Sequence, residues 1–177
     1  IGSLKHVYPA LGCPVLYGTK FTIWLVRKTL EEAWVLDKAT LVEVDAWSGE
    51  QLKIWEFTVE YFKVNHSIPD CAWIYIESPG GTKIVHTWDF KIDFTPAIDD
   101  PANLDRIAEI WKRWISLLMS DSTWSIRKWF SMSEKNVWEE LEKIVANHTK
   151  WRLVIAIFAS WISRVQQLIN IAEKYWK

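Results

Sequence analysis

The chain has 177 residues, half of them apolar and 24% charged, with a formal net charge of −1. This composition is typical of a globular protein with a sizeable core, and it excludes a strongly basic protein that attracts nucleic acid through its overall charge. No apolar run approaches the roughly 18–20 residues that span a membrane, so we expect no membrane partner. Tryptophan occurs 14 times and glycine only 6 times, although glycine ordinarily makes up about 7% of a protein.

The first part of the chain predicts one helix followed by strands. A helix is predicted over residues 19–33, where five apolar side chains recur at helical spacing and can face a core: Phe21, Ile23, Trp24, Val26 and Leu30. A strand is predicted over residues 40–44. Residues 56–64 alternate like a half-buried strand, with Phe57, Val59 and Tyr61 on one face and Thr58 and Glu60 on the other. Residues 72–76 and 83–85 flank a Pro-Gly-Gly turn and predict a hairpin.

The pattern changes after Pro101. Helices are predicted over residues 103–111, 133–146 and 162–175, and apolar buried strands over residues 115–119 and 153–158. Ser131 and Glu134 have the spacing of a capping box at the start of the second of these helices. Strands that alternate with helices favour parallel pairing through crossover connections, so the sequence predicts an α/β fold.

Polar residues that suggest a site follow the predicted strands. His66 comes just after one strand, and His86 and Asp89 follow another. An imidazole and a carboxylate from adjacent strand ends can hold a metal together, although a strand-end histidine is more often a hydrogen-bonded structural residue. Asp121, with the hydroxyl residues Ser122 and Thr123, is either a catalytic carboxylate or a helix cap, and the sequence leaves both readings open.

Three longer segments resemble the ribonuclease J family, whose members are ribonucleases with a metallo-β-lactamase fold and a β-CASP domain. Residues 83–96 resemble the family's His-Thr-Gly-Asp-Phe-Lys segment, with Trp88 in place of glycine. Residues 118–123 resemble its Ser-Asp-Ser-Thr segment, and residues 158–167 resemble a strand–helix unit of β-CASP. The resemblance covers essentially the whole chain.

The resemblance implies a fold and a division of the chain. The fold is part of a metallo-β-lactamase αββα sandwich followed by part of a Rossmann-like β-CASP domain. The incomplete lactamase segment is expected over residues 1–113, and the first half of β-CASP over residues 114–177.

The same resemblance implies residue roles. His66 and Asp89 are expected to be metal ligands, with Asp89 bridging two metal ions, zinc or alternatively manganese. Asp121 is expected to be a catalytic acidic residue, whereas Ser122 and Thr123 are weaker candidates for contacts with RNA. His86 is expected to support the ligands without binding metal. The chemistry would be attack of metal-activated water on an RNA phosphodiester in the cytoplasm, in a protein that is a homo-oligomer at full length.

The chain also departs from the family pattern. The family's HxHxDH motif precedes the segment that residues 1–4 resemble, and its later histidine motifs would follow Lys177. Because a catalytic zinc usually takes three protein ligands, we expect these 177 residues alone to bind zinc weakly or not at all and to be inactive. One alternative is therefore a non-catalytic fragment or an engineered or misrecorded chain, and another is a β-CASP nuclease that acts on DNA or messenger-RNA precursors.

The tryptophans occupy positions that favour glycine. Trp34, Trp151 and Trp176 follow helical runs, where the closing residue often has a left-handed backbone, and Trp88 lies in a tight loop. In the family, glycine is common at Trp88, Trp129, Trp138 and Trp151. A nucleic-acid stacking surface is disfavoured because the tryptophans are scattered along both segments. We therefore predict that tryptophan replaces glycine in this sequence.

Overall fold

The computed structural model describes residues 2–148 and 152–175. Its helices are α1 (Leu4–Val7), α2 (Lys20–Glu32), α3 (Leu104–Trp111), α4 (Glu134–Asn147) and α5 (Ile162–Tyr175). Its strands are β1 (Leu16–Gly18), β2 (Leu41–Glu43), β3 (Gln51–Ile54), β4 (Phe57–Lys63), β5 (Ala72–Glu77), β6 (Lys83–His86) and β7 (Leu117–Met119). Strand β3 lies in a stretch for which the sequence predicted no element. Within the described ranges, no helix is both long and apolar enough to cross a bilayer.

The main sheet has the strand order β3-β4-β5-β6-β7. Strands β3 to β6 form an antiparallel meander, and β7 pairs parallel to β6 after the chain crosses over through α3. A second, two-stranded sheet pairs β1 with β2 in parallel, and α2 is the crossover. The prediction of an α/β fold with parallel crossovers is confirmed.

The direction of the strands places three loops at one edge of the main sheet. Strands β4 and β6 are both antiparallel to β5, so they run in the same direction, and β7 runs parallel to β6. The loops that leave the carboxyl ends of β4, β6 and β7 therefore begin at the same edge. These loops carry His66, Asp89 and Asp121.

Helix α2 buries three of the five apolar residues that the sequence placed on its inner face. Ile23, Val26 and Leu30 are buried, and Val26 and Leu30 form a cluster with Tyr8. Trp24 is 52% exposed, so its predicted burial was wrong. Its indole stacks on Phe21 at the surface, with ring centroids 5.8 Å apart.

Strand β4, which lies between β3 and β5, is buried on the face that carries Thr58, Glu60 and Phe62. The predicted alternation between a buried and an exposed face was wrong, because Thr58, Val59 and Glu60 are all buried. Glu60 is 0% exposed, while Phe57 is 40% exposed. Helix α3 and the turn after it cover this face. Arg106 approaches one carboxylate oxygen of Glu60 at 2.5 Å, and Arg113 approaches the other at 2.9 Å. These two guanidinium groups compensate the buried charge.

Three predictions for the later part of the chain were wrong. The residues of β7 are 43–49% exposed, so this strand is an uncovered edge of the sheet. Residues 153–158 belong to no strand ladder among the described residues, and Val154 is 81% exposed. The cap of α4 is Ser133, whose side chain accepts a hydrogen bond from the Lys135 amide at 3.2 Å, and not the predicted Ser131.

Five tryptophans have a left-handed backbone, with φ between 52° and 104°: Trp34, Trp55, Trp88, Trp114 and Trp129. This confirms the predicted left-handed conformation at Trp34. Trp138 differs because it lies within α4, and Trp151 and Trp176 lie outside the described residues.

Trp34 shows why such positions favour glycine. The amide of Val35 donates to the Leu30 carbonyl at 3.1 Å, and the amide of Trp34 donates to the Glu31 carbonyl at 3.0 Å. This is the hydrogen-bond pattern of a Schellman motif, and Trp34 occupies the position where glycine is usual. A side chain there costs roughly 1–2 kcal/mol.

Candidate functional site

His66 and Asp89 meet at the edge where β4 and β6 end. His66 Nε2 lies 3.9 Å from Asp89 Oδ2, and the two side chains are 33% and 75% exposed. An imidazole nitrogen and a carboxylate oxygen are both common zinc ligands, but a catalytic zinc usually takes three protein ligands. Within residues 2–148 and 152–175, no group of three or more His, Cys, Asp and Glu residues is placed to hold a metal ion. The described residues therefore supply two possible ligands to a metal ion at this place, His66 and Asp89.

Asn65 joins the two loops that carry His66 and Asp89. Its carbonyl accepts a hydrogen bond from the Lys91 amide at 2.7 Å, and its side-chain amide donates to the Asp100 carbonyl at 2.7 Å. The residues on either side of the His66–Asp89 pair are thus connected by backbone as well as side-chain bonds. This arrangement limits how far the two side chains can separate.

The other end of the His66 loop is fixed by Asp70. Its carboxylate accepts a hydrogen bond from the Phe21 amide in the first turn of α2 at 3.4 Å. Its own amide donates to Asp99 Oδ2 at 3.2 Å, and the same Asp99 carboxylate pairs with the buried ammonium of Lys63. The loop from β4 to β5 is therefore attached at both ends to neighbouring parts of the fold.

Asp121 is held beside the same edge by Thr87. The Asp121 amide donates to Thr87 Oγ1 at 3.0 Å, and the Thr87 amide donates to the Met119 carbonyl at 3.0 Å. Hydrogen bonds from the Thr123 hydroxyl and amide lower the pKa of the Asp121 carboxyl, and the nearby His66 lowers it further. Asp121 is therefore an ionised carboxylate at neutral pH. Its catalytic role stays a prediction.

Ser122 and Thr123 form an exposed turn after Asp121, and no helix begins there. The Thr123 hydroxyl donates to Asp121 Oδ1 at 2.6 Å, and the Ser122 carbonyl accepts from the Ser125 amide at 3.0 Å. The alternative that Asp121 caps a helix is therefore wrong. The contacts of Ser122 and Thr123 with RNA stay predictions.

His86 takes part in the turn at the end of β6. Its Nδ1 accepts a hydrogen bond from the Trp88 amide at 3.0 Å, and its ring centroid lies 4.3 Å from that of Trp88. Because Nδ1 is an acceptor, the neutral ring carries its proton on Nε2. This contact shapes the backbone just before Asp89, and a supporting role toward the ligands stays a prediction.

Sequence reasoning did not identify Asn65, Asp70 or Thr87 as parts of this site. All three lie within a few residues of His66 or Asp89, and each is a small polar residue in or next to a loop. Their bonds join segments that are far apart in sequence, so no local pattern marks them.

A cleft of about 520 Å³ adjoins the His66–Asp89 pair. Its lining includes Tyr17, Thr19, Tyr61, His66, Asp89 and Cys71. Burial raises the pKa of Cys71 to about 11, so its thiol is protonated at neutral pH. The cleft therefore offers no thiolate nucleophile at Cys71.

Comparison with known proteins places the whole chain in one group. It is 35% identical to ribonuclease J of Thermus thermophilus over 180 residues, which is 99% of this chain. It is 36% identical to ribonuclease J 1 of Streptococcus pyogenes and to ribonuclease J2 of Bacillus subtilis, in both cases over 98% of this chain. Over almost its whole length, the chain is therefore similar to members of the ribonuclease J family. It spans about 30% of the length of these relatives, and no protein-family model matches it.

The fold has a counterpart among solved structures. A protein of unknown function from Enterococcus faecalis matches 92% of this chain and 40% of its own, with a TM-score of 0.58 and 16% sequence identity. At this identity the likeness shows a shared fold. Together with the similarity to ribonuclease J proteins, it supports the metallo-β-lactamase-like architecture that the resemblance implied.

Proposed function

We propose that this chain forms one side of the catalytic cleft of a metal-dependent ribonuclease that hydrolyses RNA phosphodiesters. The observation that carries the proposal is the meeting of His66, Asp89 and Asp121 at a single sheet edge beside the cleft. The named relatives are ribonucleases, which supports RNA as the substrate. The proposed division is a metallo-β-lactamase-like segment over residues 1–113 and a β-CASP-like segment over residues 114–177.

His66 and Asp89 would hold divalent metal, zinc or manganese, together with ligands from outside the described residues. A bound metal pair supplies a water nucleophile at neutral pH and stabilises the leaving oxygen. The chain's own contribution is to position these groups. Asn65 and Thr87 fix the loops at the strand ends, and the ionised Asp121 is available to accept a proton or a hydrogen bond near His66.

The same proposal assigns the protein to the cytoplasm and to homo-oligomers at full length. Support for both comes from the resemblance to ribonuclease J. In such an assembly, the exposed edge strand β7 and the exposed residues after it would be the parts of this chain open to further contacts.

The experiment measures hydrolysis of a labelled RNA oligonucleotide by the complete ribonuclease J-type polypeptide that carries these residues, with added zinc or manganese. His66→Ala and Asp89→Asn are expected to lose more than the roughly 10–100-fold that removal of a partner outside the ligand set costs. His6→Ala and Asp105→Asn are matched controls, since both residues are exposed and lie outside the site. An Asp89→Asn variant with the wild-type rate would contradict the proposal.

A second measurement tests the number of ligands in this segment. Because His66 and Asp89 supply two ligands where a catalytic zinc usually takes three, the 177-residue chain alone is expected to bind zinc weakly. Calorimetric titration with zinc checks this expectation. Tight, stoichiometric uptake that persists in the His66→Ala variant would show that other residues form the site.

A further inference from the structure

A small polar cavity separates the His66 loop from the first turns of α5. Its volume is about 20 Å³, and its lining combines the loop with residues that come much later in the chain. The polar lining residues include Asn65, Lys91, Asp93, Glu134, Ser163 and Gln167. The cavity therefore lies where the two predicted segments of the chain touch beside His66.

Two buried amide side chains at this cavity have polar atoms without a hydrogen-bond partner among the described residues. Gln167 is 0% exposed and Asn65 is 4% exposed. Neither Gln167 Nε2, Gln167 Oε1 nor Asn65 Oδ1 has a partner among the described residues. Buried polar atoms are nearly always hydrogen-bonded, because leaving one unsatisfied costs its full desolvation energy. A donor and two acceptors thus need a small polar molecule between them.

The charges around the cavity favour a neutral occupant. Glu134 pairs with Arg164 at 2.7 Å and with Lys91 at 3.1 Å, and Lys91 also lies 3.4 Å from Asp93. Asp99 also lines the cavity and pairs with the buried ammonium of Lys63. Three positive and three negative side chains therefore balance each other, so neither a cation nor an anion is preferred. The carboxylate of Asp93 is further occupied by the backbone amides of Glu134 and Thr95.

The volume selects the size of the occupant. A cavity needs roughly 10–15 Å³ of probe-occupied volume to hold one water molecule, which then requires two to four polar partners. The observed volume and the three unpaired amide atoms meet both requirements. Larger neutral molecules do not fit this space.

We propose that the cavity holds one buried water molecule, which donates to Asn65 Oδ1 and hydrogen-bonds the side-chain amide of Gln167. Such a water joins α5 to the residue that precedes His66. Gln167 is then a positioning residue for His66, an assignment that rests on the proposed function of His66 as a metal ligand. The nearby Ser163 amide, which donates to the Ser67 carbonyl at 3.4 Å, supports the same connection from the other side of His66.

The first test looks for the water in the wild-type protein. A high-resolution crystal structure is expected to show a well-ordered water between Asn65 and Gln167, and a cavity without one would overturn the proposal. This measurement does not depend on activity, so its outcome is independent of whether the protein is a ribonuclease.

The second test asks whether the water positions His66. Gln167→Leu is compared with Gln166→Leu, an identical change at the neighbouring exposed residue. Gln167→Leu is expected to lose the water, to move the imidazole NMR resonances of His66 but not those of His6, and to weaken zinc binding or RNA hydrolysis by about 10–100-fold. Gln166→Leu is expected to change none of these. Unmoved His66 resonances in a folded Gln167→Leu protein would overturn the positioning role even if the water is present.

Discussion

The five-stranded sheet and the region that follows it bury very different sets of side chains. In the sheet, Phe62, Tyr75 and Val85 are each at most 1% exposed and pack with Ile110 of α3. Among the described residues after 119, three are buried, Val145, Gln167 and Ile171, and one of them is a glutamine. The sheet combines this apolar packing with the buried carboxylate of Glu60, which pairs with Arg106 and Arg113. By contrast, α4 and the start of α5 attach to the sheet through the charged group Lys91, Asp93, Glu134 and Arg164. An attachment that depends on carboxylates weakens once they are protonated.

The largest effect is expected from a cavity in the sheet. Phe62→Ala removes a ring that is 1% exposed and packs edge-on against Trp73, with ring centroids 5.7 Å apart. Replacing a buried phenylalanine by alanine typically costs about 3–5 kcal/mol. Urea unfolding measures the loss. Val154→Ala, at a residue that is 81% exposed, is expected to stay within about 0.5 kcal/mol of wild type, and a comparable loss in both variants would remove the contrast between the regions.

A smaller effect, confined to the second region, is expected from Glu134→Gln. The change removes the charge that pairs with Lys91 and Arg164 but keeps the backbone amide that donates to Asp93. Hydrogen bonds to charged groups contribute about 1.5–3 kcal/mol. Hydrogen exchange is expected to speed up in α4 and α5 while β4 and β5 remain protected. Equal acceleration in the sheet would show that the two regions unfold together.

The same attachment is expected to weaken in acid. Burial acts to raise the pKa of Glu134, but hydrogen bonds from Arg164 and Lys91 outweigh it and lower the pKa from its ordinary value of 4.5. A carboxyl with a lowered folded-state pKa stabilises the fold above its unfolded-state pKa and loses that contribution as the pH falls through its folded-state value. The protection factors of α4 and α5 in hydrogen exchange, which correct for the slower intrinsic exchange in acid, are therefore expected to fall as the pH falls below about 4.5. The Glu134→Gln variant should show a flatter profile, and an unchanged slope would assign the acid sensitivity to other groups.

These differences also explain what the sequence was able to predict. Helices α2, α4 and α5 and strands β4 to β6 follow from local periodicity, since each depends on residues close together in the chain. The burial of Glu60 does not, because its partners Arg106 and Arg113 lie 46 and 53 residues later. The same holds for residues 153–158, whose apolar run predicts a strand although no described segment pairs with it.

The candidate site was likewise predictable from the sequence only in part. The types of His66 and Asp89 and their places after two strands suggested a metal site, and the sheet topology brings them within 3.9 Å. The hydrogen bonds of Asn65 to Lys91 and Asp100 join loops that are not adjacent in sequence. Such contacts become visible only once the strand order is known.

The smallest expected change in stability from a single substitution is at the tryptophans that have a left-handed backbone. Trp34, Trp55 and Trp114 are 91%, 93% and 89% exposed, so replacing each with glycine loses little packing. The exchange relieves a backbone strain of roughly 1–2 kcal/mol. Part of this gain is lost because glycine has a greater conformational entropy in the unfolded state. Each exchange is expected to stabilise the protein by about 1 kcal/mol. Trp24→Gly is the control, because Trp24 lies inside α2, where glycine is unfavourable. Thermal unfolding should move upward for the first three variants and downward for the control.

The left-handed tryptophans also bear on the gene. Independent mutations would have to strike many separate glycine codons, whereas a single change in the meaning of one codon alters every such site together. The codon UGA is one base away from the tryptophan codon UGG and one base away from the glycine codon GGA. A cell that reads UGA as glycine would make a glycine-rich protein from such a gene. If UGA is instead read as tryptophan, the same gene gives tryptophan at five left-handed positions: Trp34, Trp55, Trp88, Trp114 and Trp129. Peptide mass spectrometry of the protein from its natural source is expected to find glycine at these five positions, and tryptophan there would refute this reading of the codon.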